Sequence, residues 1–235
     1  MAIMAPSFMA DVTCWTLIEC AAAGDRGARE NFADRYLPLV RAYLEARWKT
    51  RLSRPELEDA VQDVFVECLK EQGVLERNRS RRGQGFRAYL LGAVRYVALR
   101  AESRRARTLD AARAEGLEPE RLPDDEDSCS RVFDRRWAAT IMREAAELQR
   151  ERAQVQGAQA LRRVELLRRI FQEGQRIADI AREWGLAADA LHREHARARE
   201  EFSSALREIV AFHAPDSDGA VERECAELIE LLGQS

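Results

Sequence analysis

Between Arg77 and Arg107 the chain places ten arginines and one acid, Glu102, in a protein whose formal net charge is −3. Guanidinium groups at this density make a phosphate-contacting surface, because each can neutralise a phosphate and release its condensed counterion. Phe86, Tyr89 and Tyr96 are interleaved with them, and an exposed ring offers a face on which an unstacked base can lie. The chemistry is that of holding a polyanion. An arginine-rich solvated helix face is the competing account, since Lys49 and Lys70 are the only lysines and arginine is the default cation throughout. That account leaves unexplained why the acids vanish from this stretch and crowd into the next.

Bond-making chemistry finds no support. There is no Gly-rich phosphate loop, no metal cluster and no nucleophile–base set, so no catalytic residue and no cofactor is expected and the chain reads as a non-enzyme. His192, Glu194 and His195 lie close in sequence but do not form His-Glu-x-x-His, and no metal site is expected from them. His195 suits the edge of a small core, and His192 a surface. The five cysteines are scattered without a Cys-x-x-Cys pair, which suits reduced thiols and a cytoplasmic location. No apolar run approaches the ~20 residues of a membrane span, and the N-terminus lacks the pattern of a secretory signal. No membrane association is expected.

The elements that must position the arginines are helical. Gly and Pro are few, apolar residues make up 46%, and no long alternating β-branched run occurs, so the expected class is all-α. From Thr108 to Asp134 nine acids meet three arginines, with Gly116, Pro119 and Pro123 among them. This predicts a flexible acidic linker over 108–130, between two small helical domains at 25–107 and 131–212. Residues 1–24 read as an N-terminal extension and 213–235 as an acidic tail, either a docking helix or a frayed end.

In the first domain, Phe32, Tyr36, Leu39, Val40, Tyr43, Leu44 and Arg47 share one stripe over Asp25 to Thr50, with a kink or helix start expected at Pro38. Ser53 and Glu56 predict a capping box for a helix over Pro55 to Glu71. On it Asp59, Gln62, Asp63 and Val66 form a polar stripe opposite an apolar one, a pattern that periodicity alone would assign to solvent. A third helix, Phe86 to about Arg107, turns Leu90, Val94, Val97 and Ala101 to the core and sends Arg87, Arg95, Arg100, Arg104 and Arg105 largely outside. In the second domain a short apolar helix, Gly185 and a longer helix form a helix-turn-helix pattern. Its second helix turns Leu191, His195, Ala198 and Phe202 inward and Asp189, His192, Arg193, Ala196 and Arg197 outward. The unit Gly174 to Val210 holds six arginines and seven acids, so charge alone does not mark it as DNA-binding.

Three segments together resemble a family. Arg35-Tyr-Leu-Pro-Leu-Val-Arg-Ala-Tyr-Leu44, Leu57-Glu-Asp-Ala-Val-Gln-Asp-Val-Phe65 and Phe86-Arg-Ala-Tyr-Leu-Leu-Gly-Ala-Val-Arg95 look like the first large domain of bacterial RNA polymerase sigma factors. The two-domain build resembles the extracytoplasmic-function group. Arg176-Ile-Ala-Asp-Ile-Ala-Arg-Glu-Trp-Gly-Leu186 and His195-Ala-Arg-Ala-Arg-Glu200 look like that group's C-terminal domain.

The resemblance implies a transcription initiation factor that binds core RNA polymerase and directs it to promoter DNA. Asp59, Gln62, Asp63 and Val66 would dock on the polymerase's clamp helices. Arg79, Arg87, Tyr89, Arg95, Tyr96, Arg100, Arg104 and Arg105 would read and melt the upstream (−10) promoter box. Asp189, His192, Arg193, Ala196 and Arg197 would read the distal (−35) box. The acidic linker would thread the RNA exit channel, and an anti-sigma factor or other regulatory protein is a further partner class. Tyr96 and Arg100 stand where family members often carry Asn and Asp. Asp189 and Glu194 would repel phosphate unless turned away or accepting from a cytosine amino group. Two other readings stand beside this one: a stand-alone helix-turn-helix regulator, and a sigma-shaped adaptor that binds protein only.

Overall fold

Helix starts are set by short polar side chains that satisfy the first free N–H groups. Thr13 and Thr16 form a capping box ahead of α1 (Cys14–Ala22). Asp25 Oδ1 accepts from the Ala28 N–H at 2.6 Å ahead of α2 (Arg26–Trp48). Ser53 and Glu56 form the expected box ahead of α3 (Arg54–Leu69), with the Ser53 N–H donating to Glu56 Oε2 at 2.8 Å. Each such cap stabilises its helix by ~1 kcal/mol. There follow α4 (Gly85–Arg113), α5 (Glu126–Gln156), α6 (Ala158–Phe171), α7 (Ile177–Trp184), α8 (Ala188–His213) and α9 (Ala220–Gly233). The computed structural model describes residues 13–49, 53–70, 85–113, 126–213 and 219–233, and every regular element among them is a helix. None of these helices is long and apolar enough to cross a membrane.

Several boundaries differ from expectation. α2 runs through Pro38 without ending. The carbonyl that the proline leaves without a donor is that of Asp34, and both residues are exposed, so this carbonyl is open to solvent. The expected extension 1–24 contains α1, whose Cys14 and Ile18 are fully buried against α2. The expected linker 108–130 contributes helix at both ends: α4 continues through 108–113, and α5 begins at Glu126. Acids at the start of α5 oppose the partial positive charge of a helix N-terminus and favour that start. The rest of the linker, 114–125, lies outside the described residues. The tail contains α9, packed through fully buried Leu228.

One large core draws on α1 to α5, α8 and α9. At its centre is a group of rings. Phe86 of α4 lies 4.9 Å from Tyr36 of α2, Tyr36 stacks on Trp137 of α5 at 6.4 Å, and the His213 ring of α8 meets Trp137 edge-on at 5.0 Å. His213 is fully enclosed. Its Nδ1 lies 2.9 Å from the Ile209 carbonyl, which only accepts, so Nδ1 carries the proton. Nε2 therefore accepts from the Tyr36 hydroxyl at 2.8 Å. Beside it Arg35 pairs with Glu144 at 3.0 Å and lies over the Phe212 ring at 4.7 Å. A second, small core joins Leu166 of α6 to Ile180 and Ala181 of α7 and Leu191 of α8. Phe202, expected in that small core, packs against the large one instead.

Burial depresses the His213 pKa to about 3, with the charge of Arg35 adding to the effect. The unfolded ring takes up a proton near 6.5, so between those limits the unfolded state binds more protons and stability rises with pH. Stability should be complete above the ordinary histidine pKa and fall on acidification by up to ~1.4 kcal/mol per pH unit. Urea unfolding followed from neutral to acid pH measures this, and the slope should be shallower in His213→Gln by the histidine's share. Tyr36→Phe should leave Nε2 a buried acceptor without a donor and cost ~1–3 kcal/mol, read as a lower urea midpoint.

Candidate nucleic-acid and partner interface

α4 carries the arginines on two differently placed halves. In its first half Phe86 and Tyr89 are buried, and the Tyr89 hydroxyl donates to the Cys68 carbonyl at 3.5 Å. Burial pushes the Tyr89 pKa well up, so this phenol stays protonated. Arg87 and Arg95, expected largely outside, are half-buried: Arg87 pairs with Asp134 at 2.7 Å, and Arg95 donates to Ser130 Oγ at 2.8 Å. Both partners belong to α5, which lies across this half of α4. In the second half Tyr96 is 45% exposed and Leu99 54%. Arg100 and Arg104 are exposed, and Arg105 is half-buried. Arg79 lies outside the described residues.

Glu102, the one acid of the block, is turned inward. Arg47 grips its carboxylate through Nε at 2.6 Å and Nη2 at 3.1 Å, and Trp48 Nε1 donates to it at 2.9 Å. Its charge is thus spent within the fold and opposes no polyanion at the surface. Sequence reading missed this, although Arg47 on the apolar stripe of α2 was a signal that a buried charge needed a partner.

The second half of α4 adjoins the polar stripe of α3. Arg104 Nη2 reaches Asp63 Oδ2 at 3.0 Å, and Arg105 lies 3.8 Å from Glu56. Asp59, Gln62 and Val66 are exposed, Val66 to 47%. The structure therefore brings the two expected surfaces together: an acidic and apolar stripe on α3 beside a basic and aromatic one on α4.

In the C-terminal part, Gly185 adopts a left-handed conformation (φ 65°), which a side chain would strain, and this turns α7 into α8. Asp189, His192, Arg193, Ala196 and Arg197 all lie on the exposed side of α8, as the periodicity predicted. Glu194 is turned away, 3.4 Å from Arg163 of α6, which also holds Glu201 at 2.7 Å. Glu183 pairs with Arg169 at 2.5 Å, and Glu208 pairs with Arg152. Four of the unit's acids are thus matched by arginines from outside it. His195 is half-buried, its ring 6.3 Å from Phe171. Burial, with Arg199 and His192 nearby, lowers its pKa. Among the described residues no group of His, Cys, Asp and Glu is arranged to hold a metal ion. Arg162 and Arg169 both lie over the Trp184 ring, at 5.5 and 5.7 Å.

No protein-family model matches the chain, and no curated protein or solved structure matches it significantly.

Arg163 is the fastening between α6 and α8, with its side chain only 11% exposed. Arg163→Gln should leave Glu201 without its cation and Glu194 with only Arg197, 3.9 Å away, at a cost of ~1–3 kcal/mol. Hydrogen exchange over α7 and α8 should speed up while exchange in α2 and α3 stays as it was.

Proposed function

We propose that this chain is a non-enzymatic transcription initiation factor of the sigma type. It binds core RNA polymerase and directs it to promoters. Its first unit reads and melts the upstream box, and its second, a helix-turn-helix, reads the distal box. The observation that carries this reading is the joint surface of α3 and α4. Asp59, Gln62 and Val66 offer carboxylate, amide and apolar contacts suited to a basic helical partner. One helix away, Tyr96, Arg100 and Arg104 offer a ring and cations suited to a separated strand. A protein that must hold polymerase and DNA at once needs these two surfaces side by side.

The division of labour follows from the chemistry of each contact. Guanidinium groups fix position on phosphates without reading sequence, and the ring and base-edge contacts do the rest. Of the two tyrosines, Tyr96 supplies the exposed face for an unstacked base, while Tyr89 supports the helix that carries it. Arg193 and Arg197 supply the donors of the second reader, for the O6 and N7 acceptors of guanine in a major groove. The protein-only adaptor drew its support from the excess of acids over Gly174 to Val210. Pairing of Glu183, Glu194, Glu201 and Glu208 with arginines of α5 and α6 weakens that support.

Gln62→Arg, at an exposed position, should leave the melting temperature unchanged and weaken core-polymerase binding by ~2 kcal/mol or more, through like charges brought together. Undiminished affinity would sink the docking assignment. Tyr96→Ala should spare closed-complex formation and reduce strand opening, read by permanganate reactivity of promoter thymines. Run-off transcription with core polymerase over a promoter library tests the reading as a whole.

A further inference from the structure

Arg87 differs from the other arginines of α4. Its side chain is 23% exposed, and three carboxylates from two other helices surround it: Asp134 of α5 at 2.7 Å, and Glu224 and Glu227 of α9 at 3.6 and 3.7 Å. One cation needs one carboxylate, and the surplus gives the site the character of a phosphate backbone. Packing sets the positions of the acids. Leu228 of α9 is fully buried, Val221 and Cys225 pack beside it, and Trp137 Nε1 donates to Glu224 at 3.3 Å. α9 lies against α5 and α8 and touches α4 through these charges. Leu228 is its only fully buried large side chain among those described, and Glu227 is 60% exposed. That anchoring is light enough to be exchanged for contacts of similar size.

We propose that Asp134, Glu224 and Glu227 are an internal stand-in for nucleic acid, and that α9 is an autoinhibitory latch masking Arg87 until a polyanion displaces it. This rests on the nucleic-acid reading of α4, but not on polymerase binding. In the latched state the exposed half of α4, from Tyr96 onward, is open to a strand while the first half is closed. Engagement then proceeds along α4 from Arg104 towards Arg87, and the last contact is made only when α9 leaves. The first half is the part covered by α5, so release of α9 also removes one of the helices that brace α5 in place.

The test uses the full chain in three forms: wild type, Asp134→Asn/Glu224→Gln/Glu227→Gln, and the same variant with Arg87→Gln added. Each is titrated with a short fluorescent duplex of arbitrary sequence over a range of salt. The neutralised variant should bind about tenfold tighter at low salt, the size of a common coupling between sites. Its log–log salt slope should steepen by ~0.9, one added phosphate contact. Adding Arg87→Gln should remove both gains. Equal affinity and slope for wild type and the neutralised variant would overturn the latch. So would a gain that survives Arg87→Gln, since it would reflect only a less acidic protein. In the wild type, duplex binding should accelerate hydrogen exchange in α9, and unchanged exchange would equally overturn the proposal. Core polymerase takes no part in these measurements, so its failure to bind would defeat the sigma-type reading and leave the latch standing.

Discussion

A neutral imidazole sealed from water ties the last turn of α8 to α2. His213 is satisfied on both nitrogens, by the Ile209 carbonyl and the Tyr36 hydroxyl, and it is packed among Phe86, Trp137 and Phe212. A protonated ring would have to give up the Tyr36 bond in its present direction and sit charged beside Arg35, so the fold enforces neutrality. The consequence reaches far along the chain. Tyr36 and Phe86 come from the part carrying the arginine block, Trp137 and His213 from the C-terminal part. The same rings are therefore the core of both. Arg35 and Glu144 extend the joint: burial holds the Glu144 carboxyl above its usual range and the Arg35 charge pulls it back, an arrangement that tolerates loss of neither partner.

Around this joint the chain manages charge almost wholly with arginine. A guanidinium offers five donors in a plane and keeps its charge when half-buried, and this is how it is used at Arg47, Arg87 and Arg163, each holding carboxylates from a distant part of the sequence. The effect is to withdraw acids from the surfaces where they would oppose a polyanion. Glu102 is half-buried against α2, and Glu194 and Glu201 are half-buried against α6. The exposed residue of this sorting is basic on the second half of α4, while α3 beside it stays acidic and apolar. A net charge of −3 therefore describes the chain poorly, since what a partner meets is decided by which charges are already spent.

The helices were largely legible in the sequence, because their signals are local: three- and four-residue apolar spacing on α2, a capping box at Ser53, a glycine able to turn left-handed at Gly185. The faces of α3 and α8 were legible for the same reason. The failures share one cause. Inclusion of α1 and α9 in the core, the burial of Tyr89, the inward turn of Glu102 and the acid cage of Arg87 all depend on partners tens of residues away, and no periodicity encodes a partner. Arg87 and Arg95 were expected outside because four apolar positions already filled the inner face of α4. α5 covers a second face, and no property of the α4 sequence announces it. Acids and prolines together overstate the linker, because helix continues to Arg113 and resumes at Glu126. The prolines fall at 119 and 123, and the acids from Glu126 onward are good residues for a helix start.

Under the proposed function, this packing bears on how two reading surfaces on one chain work together. Surfaces that read separate sites on one duplex must be free to move apart, yet here the parts share a core closed by aromatic rings. The two requirements conflict only if the reading surfaces lie inside the joint, and most do not. Tyr96, Arg100 and Arg104 face outward on α4, and His192, Arg193 and Arg197 face outward on α8. What the joint covers is the start of α4, with Phe86, Arg87 and Tyr89, where the rings and the acids converge. A shared core is then a way of storing the molecule with its outer contacts presented and its inner ones withheld. On the proposed reading, partners that grip α3 and the end of α4 first gain the leverage to release the latch. On the proposed latch, the energy for release comes from those partners, because the buried Leu228 loses its cover as α9 leaves.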